Sequence, residues 1–149
     1  VDIETTGGPT QRESITEIGI VEVDPSGVRE WSTLVKPASR VPDHIERLTG
    51  ISNAMLADAP SFAQIAEEVF NRLDGRLFAA HNARFDYGFL KHGFARAGRS
   101  FSARVLCTVR LSRRLFPDAA SHSLDAVIAR HGLAVGDDEI ANVGPLTGG

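Results

Sequence analysis

Two acidic residues separated by one position open the chain, and their spacing suits the binding of a cation. If residues 1–4 end a β-strand, Asp2 and Glu4 point to the same face of that strand while Ile3 points to the other. Adjacent carboxylates repel each other, and burying them is costly unless a cation lies between them. The alternative is a solvent-facing edge strand with two ordinary acids. The small residues that follow, at positions 5–8, favour a ligand site because they leave room for a ligand near the backbone.

A second group of polar residues, His81-Asn82-Ala83-Arg84-Phe85-Asp86, lies where a short apolar strand is followed by a helix. Ligand sites in α/β sheets are typical of such strand-to-helix junctions. Asp86 falls in the first turn of the helix, where its carboxylate either faces a ligand or only complements the helix dipole, with Asn82 as the N-cap. The hexapeptide alone leaves both interpretations open.

Hydrophobic patterns predict the elements that position these residues. Residues 14–23 and 28–35 are predicted as two strands of a hairpin around the turn 24–27. Helical spacing and short apolar runs predict the other elements, namely helices 43–48, 62–73, 83–97, 109–116 and 123–133 and strands 77–80 and 105–107. The inner face of the helix 83–97 is expected to carry Phe85, Phe89, Leu90 and Phe94. This order predicts an α/β domain whose mixed sheet is antiparallel in its first half, parallel in its second half, and flanked by helices.

The composition is that of a soluble globular domain and excludes several classes of protein. Of the 149 residues, 42% are hydrophobic and 23% are charged, which suits one domain with a buried core. No apolar run is long enough for a transmembrane helix. The single cysteine, Cys107, excludes a disulfide framework and fits a reducing cytosol, so we expect a cytoplasmic protein. A net charge of -3 argues against coating nucleic acid through bulk positive charge, but not against an enzyme that grips a few phosphates.

Taken together, the segments VDIETTG and HNARFD, about eighty residues apart, resemble the first two motifs of the DEDDh 3′–5′ exonucleases. The resemblance extends over most of the chain, through the segments ITEIGIVEV, RLTGI, LCTVRLSRRLFP and SLDAVIARHGL. Within that family, the chain is most similar to the proofreading epsilon subunits of bacterial DNA polymerase III. The resemblance implies a ribonuclease-H-like fold and hydrolysis of phosphodiester bonds at single-stranded or frayed DNA 3′ ends, with a DNA polymerase subunit as partner.

The resemblance also implies which residues form the site. The family's metal-binding carboxylates match Asp2, Glu4 and Asp86. They would hold two Mg²⁺ or Mn²⁺ ions, which suit an all-oxygen set of ligands and can activate a water and stabilise the leaving 3′ oxygen. The family positions that line the terminal nucleotide match Thr5, Leu48, Asn82 and Phe85. An apolar wedge with an aromatic face would hold a frayed base without reading its identity.

The third motif of the family, a His followed five residues later by an Asp, has no match in this chain. In the corresponding place the chain has Gly136-Asp137-Asp138-Glu139-Ile140-Ala141-Asn142, and no His follows His131. We therefore expect the general base to be missing, with Asp137 or Asp138 as weak substitutes for the fourth metal ligand. We also expect an exonuclease domain over residues 1–135, with its first strand truncated at the start, and a poorly ordered tail over residues 136–149.

The sequence favours the first of the following three functions and leaves the other two as alternatives. The first is a DNA 3′–5′ exonuclease that proofreads during DNA replication. The second is an RNA 3′–5′ exonuclease, because the first two motifs do not separate DNA from RNA. The third is a non-catalytic nucleic-acid-binding or polymerase-interaction module, an alternative that the absence of the third motif keeps open.

Overall fold

A three-stranded antiparallel sheet and a two-stranded parallel sheet lie at the centre of the fold. A computed structural model of the chain describes residues 1–8 and 14–135. The antiparallel sheet has the order β1 (Asp2–Thr5), β2 (Ile15–Asp24), β3 (Gly27–Leu34), and the parallel sheet pairs β4 (Leu77–Ala80) with β5 (Arg104–Cys107). The Val1 nitrogen donates a hydrogen bond to the Ala79 carbonyl at 2.9 Å, which is where the two sheets adjoin. The predicted mixed α/β architecture is confirmed.

Helices flank the sheets along the described part of the chain. They are α1 (Asp43–Thr49), α2 (Asn53–Leu56), α3 (Phe62–Leu73), α4 (Ala83–Arg96), α5 (Thr108–Leu115) and α6 (Leu124–His131). As predicted, Ser61 caps α3, since its hydroxyl accepts from the Gln64 N–H at 3.4 Å and its own N–H donates to the Gln64 side chain at 2.8 Å. None of the helices within the described segments is long and apolar enough to cross a membrane.

The hydrophobic core lies between the sheets and the pair of helices α3 and α4. The alternation of β2 directs Ile18 and Ile20 inward, where both are buried. At the centre of the core, the fully buried Phe94 ring meets Phe62 and Phe70 edge-on, with centroid distances of 5.3 and 5.7 Å. This packing fixes α4, and with it the residues at the start of that helix.

One predicted core residue is not buried. Phe89, Leu90 and Phe94 of α4 are buried as expected, whereas Phe85 is 42% exposed. Its ring packs against Phe89, with the centroids 4.9 Å apart, instead of entering the core. The prediction for Phe85 is wrong because helical spacing identifies the face of a residue but not its depth.

The space around two glycines of α4 shows how tightly α3 packs against that helix. A Cβ at Gly93 would lie 3.0 to 3.2 Å from atoms of the Phe62 ring, whereas a Cβ at Gly88 would have no neighbour within 4 Å. Gly88→Ala is expected to raise the free energy of unfolding by up to about 1 kcal/mol, because alanine has the higher helix propensity. Gly93→Ala is expected to be less stable than Gly88→Ala by about 1–3 kcal/mol, because the Phe62 ring must shift. Urea unfolding measures both, and equal stabilisation by the two variants would contradict the close packing.

Candidate active site

The first motif forms β1, and its alternation separates the carboxylates from the core. Ile3 is buried, Asp2 is exposed and Glu4 is half-buried. In the antiparallel pairing with β2, Asp2 lies opposite Gly19 and Glu4 opposite Glu17. The register shifts between Glu4 and Thr5, so an irregularity follows the second carboxylate directly. Such bulges are over-represented next to active sites, where they redirect side chains.

The Asp86 carboxylate joins the second motif to the first. Asp86 lies in the first turn of α4 and is only 4% exposed. Its Oδ1 accepts a hydrogen bond from the Ile3 backbone N–H at 3.1 Å. Because a buried N–H requires an acceptor, this bond fixes Asp86 beside β1, at the residue between Asp2 and Glu4. The structure therefore places Asp86 beside the strand that carries Asp2 and Glu4.

These carboxyl groups perturb one another electrostatically. Burial, reinforced by repulsion from Asp2, raises the pKa of Asp86 to about 7. Burial, with repulsion from Asp2 and Glu17, also raises the pKa of Glu4 to about 7. Desolvation raises the pKa of Asp2 as well, although its side chain still reaches solvent. Within residues 1–8 and 14–135, no lysine or arginine forms an ion pair with any of the three.

The donor set fits a hard divalent cation in its chemistry. All the donors are carboxylate oxygens, which Mg²⁺ and Mn²⁺ prefer, and a bound cation would offset the repulsion that raises their pKa values. Among the described residues, however, no three Asp, Glu, His or Cys side chains are gathered into a preformed metal cluster. Placing metal ions at these carboxylates is therefore a proposal drawn from donor chemistry.

The predicted nucleotide-binding residues Thr5 and Leu48 lie on β1 and on α1. Thr5 is buried, and its hydroxyl accepts from the Gly7 N–H at 3.2 Å. Gly7 has a φ of +86°, and a Cβ there would lie 2.9 Å from the Ile45 side chain, so α1 lies against the glycine-rich end of β1. Leu48 is half-buried one turn further along the same helix. The structure thus brings the helix of Leu48 close to the first motif.

The other two predicted nucleotide-binding residues, Asn82 and Phe85, are exposed at the start of α4. Asn82 adopts the left-handed conformation, with φ 64° and ψ 48°, and its side chain makes no capping hydrogen bond. Asn82 is thus the N-cap residue, as one interpretation of the sequence expected, but it caps α4 without its side chain, and its carbonyl accepts from the Phe85 N–H at 3.0 Å. A positive φ is uncommon for a non-glycine residue, although asparagine tolerates it better than most. Roles for Thr5, Leu48, Asn82 and Phe85 in holding a nucleotide stay proposals.

Two further polar residues near the motifs have positions that the sequence did not indicate. Glu17 stands opposite Glu4, and the alternation of residues 14–23 was the available signal, since it places Glu17 on the polar face of β2. His81 belongs to the second motif, but its Nδ1 lies 2.9 Å from the Thr108 hydroxyl. This contact directs the His81 ring towards α5 and ties the end of β4 to that helix.

The metal-free protein is expected to lose stability as the pH rises from about 5 to about 8. Glu4 and Asp86 have pKa values of about 7 in the folded state, compared with roughly 4 in an unfolded chain. The folded state therefore binds more protons between these values, and the free energy of unfolding falls as the pH rises through that interval.

The measurement is the Tm in EDTA as a function of pH, for the parent chain and for Asp86→Asn. Burial lowers the pKa of His81, and this shift makes the free energy of unfolding rise with pH, opposite to the effect of the two carboxyl groups. The difference between the two proteins therefore isolates the carboxyl group. The Tm of the parent should fall relative to that of Asp86→Asn as the pH rises, and parallel curves would contradict the raised pKa.

Comparisons with known proteins find similarity to exonucleases over most of the chain. The family model RNase_T, described as exonuclease, matches residues 1–136. A 3′-5′ exonuclease DinG of Bacillus subtilis (strain 168) is 41% identical over 127 residues, which cover 83% of this chain and 14% of the relative. A putative bifunctional exonuclease/endonuclease protein of Mycobacterium tuberculosis is 40% identical over 139 residues, covering 87% of this chain and 22% of the relative. The chain thus spans less than a quarter of the length of these curated relatives.

Solved structures show the same fold. Exonuclease X in complex with 5′ overhanging duplex DNA superposes with a TM-score of 0.69 and 30% identity, covering 90% of this chain and 72% of that chain. Exonuclease I in complex with an inhibitor gives a TM-score of 0.79 at 18% identity, covering 95% of this chain and 37% of that chain. The expected ribonuclease-H-like fold is confirmed.

Proposed function

Because the chain belongs to the RNase_T exonuclease family, we propose that it is a metal-dependent 3′–5′ exonuclease domain that removes nucleotides one at a time from DNA 3′ ends. The observation that carries the proposal is the hydrogen bond from the Ile3 N–H to Asp86, since it joins the two carboxylate motifs at one point. Burying a carboxylate among like charges is costly, and a bound cation is the usual compensation. The family match confirms the exonuclease resemblance of the two motifs.

The chain's own residues have distinct tasks in this proposal. Asp2, Glu4 and Asp86 hold two Mg²⁺ or Mn²⁺ ions. When bound, such ions activate a water molecule and stabilise the charge on the leaving 3′ oxygen. Thr5 and Leu48 line the terminal nucleotide on the side of β1 and α1, while the exposed Asn82 and Phe85 bind it from α4.

DNA is the proposed substrate, with single-stranded or frayed 3′ ends as the form that is bound. The support for DNA, as opposed to RNA, is the similarity to Exonuclease X, whose solved complex contains 5′ overhanging duplex DNA. Asn82 and Phe85 are both exposed at the start of α4, so their side chains are accessible to such an end. An aromatic face binds any base by stacking, so the exonuclease would act without sequence preference.

The experiment is a comparison of DNA and RNA oligonucleotides of the same sequence, labelled at the 5′ end and incubated with Mn²⁺ and an excess of the protein. Stepwise shortening of the DNA supports the proposal. Faster shortening of the RNA would favour an RNA exonuclease. Binding of either strand without shortening, measured by fluorescence anisotropy, would favour a non-catalytic module.

Proofreading during DNA replication is the finer role that we attach to this activity. The support for this role is the similarity of the two motifs to the epsilon subunits of DNA polymerase III. The curated relatives described above are exonucleases of other kinds. A proofreading exonuclease removes a mismatched primer end faster than a matched one, because the mismatched end frays more readily. Equal rates on matched and mismatched ends, together with no binding to a replicative polymerase subunit, would contradict this role.

A further inference from the structure

Glu17 lies on the strand that faces the first motif. β1 and β2 are antiparallel, with Glu17 directly opposite Glu4. Directly opposite residues in such a pair point to the same face of the sheet, with Cβ atoms about 4.5–5.5 Å apart. Asp2, two residues before Glu4, shares that face. Glu17 therefore belongs to the same carboxylate face as Asp2 and Glu4.

The pairing of Glu4 with Glu17 places two like charges opposite each other, and no ion pair among the described residues supplies a countercharge. Two acids that lie directly opposite each other on neighbouring strands are destabilising, whereas two other acids of this hairpin, Asp24 and Glu22, have basic partners. Asp24 pairs with Arg29 at 2.6 Å, and Glu22 pairs with Arg72 at 2.7 Å. Over the described residues, by contrast, neither Glu4 nor Glu17 forms an ion pair. A cation bound from solution would supply the missing countercharge.

The charge balance of the proposed site gives the second argument. Two divalent ions carry four positive charges, whereas the carboxylates of Asp2, Glu4 and Asp86 supply three negative charges. Glu17 supplies the fourth.

We propose that Glu17 is the fourth carboxylate of the metal-binding group and that it strengthens the binding of the divalent ions. The inference rests on the proposed function, since it concerns the same ions. Glu17 is a positioning residue, because it acts on the substrate only through the ions that the site holds. Its role has two opposite consequences. The carboxylate destabilises the metal-free protein by repulsion, and it stabilises the metal-bound protein by attraction.

The test is a Mn²⁺ titration followed by the Tm, for the parent chain and for Glu17→Gln. In EDTA, the variant is expected to melt at a higher temperature than the parent because one repulsive charge is gone. In Mn²⁺, the midpoint of its thermal response is expected at a concentration about 10- to 100-fold higher. A merely structural role for Glu17 would lower the Tm in EDTA and leave the midpoint where it is.

Two further variants serve as controls. Glu30 lies on the same face of the hairpin as Glu17, but it is opposite Val21 and exposed. Glu30→Gln therefore removes an equal charge away from the carboxylates. It should leave the midpoint within about twofold of the parent, because solvent and salt screen an exposed charge. Glu17→Asp keeps the charge and should retain most of the affinity. An unchanged midpoint in Glu17→Gln overturns this inference alone. A parent chain that shows no response to Mn²⁺ overturns the proposed metal-dependent function and this inference with it.

Discussion

Asp86→Asn is expected to lower nuclease turnover by more than about 100-fold and to remove the rise of Tm with Mn²⁺. The asparagine keeps an oxygen that can accept the Ile3 N–H, a bond of 3.1 Å in the parent, so the anchoring of α4 to β1 is preserved. What the variant loses is the negative charge beside Asp2. Because the cation is held by charge and the fold by the hydrogen bond, this substitution separates the two contributions.

The matched control for Asp86 is Asp125. Both acids lie in the first turn of a helix, Asp86 in α4 and Asp125 in α6. Asp125→Asn is expected to cost about 0.3–1 kcal/mol of stability through the helix dipole and to leave turnover and the response to Mn²⁺ unchanged. Similar losses of turnover in the two variants would show that Asp86 contributes as a dipole partner and not as a metal ligand.

Restoring the third family motif is expected to raise the turnover of the 149-residue chain by about 10²- to 10⁴-fold, the usual contribution of a general base. The double variant Ala141→His, Leu146→Asp places a His and an Asp five residues apart after His131, the last His of the chain.

The measurement is the rate of mononucleotide release by the parent, by this double variant, and by Ala141→Gln, Leu146→Asn, which adds polar groups that cannot act as a base. Only the His and Asp pair should increase the rate. A parent chain as fast as the double variant would contradict the absence of a general base and would point to Asp137 or Asp138. Those two residues, like the predicted tail over 136–149, lie outside the described residues, so the domain limits stay a prediction.

Local patterns were sufficient to predict the elements that pack against each other with a regular period. The buried Ile18 and Ile20 of β2 follow the alternation, and Val69 of α3 follows the helical spacing, because core contact selects apolar residues at every repeat. The four-residue α2 was not predicted, since one turn has no repeat to recognise. The left-handed backbone at Asn82 was not predicted either, because asparagine is compatible with both a cap and that conformation.

The candidate site required more than local patterns. Asp86 and Ile3 are 83 positions apart, and nothing in either segment alone indicates that they form a hydrogen bond. The family resemblance brought the two motifs together, because it carries information about tertiary contacts that periodicity lacks. The position of Glu17 beside the first motif was not predicted for a related reason. Its strand was identified correctly, but its position opposite Glu4 depends on the register of β1 and β2, which only the structure shows.

Release of a label from the 3′ end of single-stranded DNA tests most directly whether Asp2, Glu4 and Asp86 form a metal-dependent exonuclease site. With Mn²⁺ and an excess of protein, the label should leave as a mononucleotide before any longer labelled fragment is formed. Release should stop in EDTA and should be absent in Asp86→Asn. Label released as longer fragments, or released at the parental rate in EDTA or by Asp86→Asn, would contradict the assignment of this site.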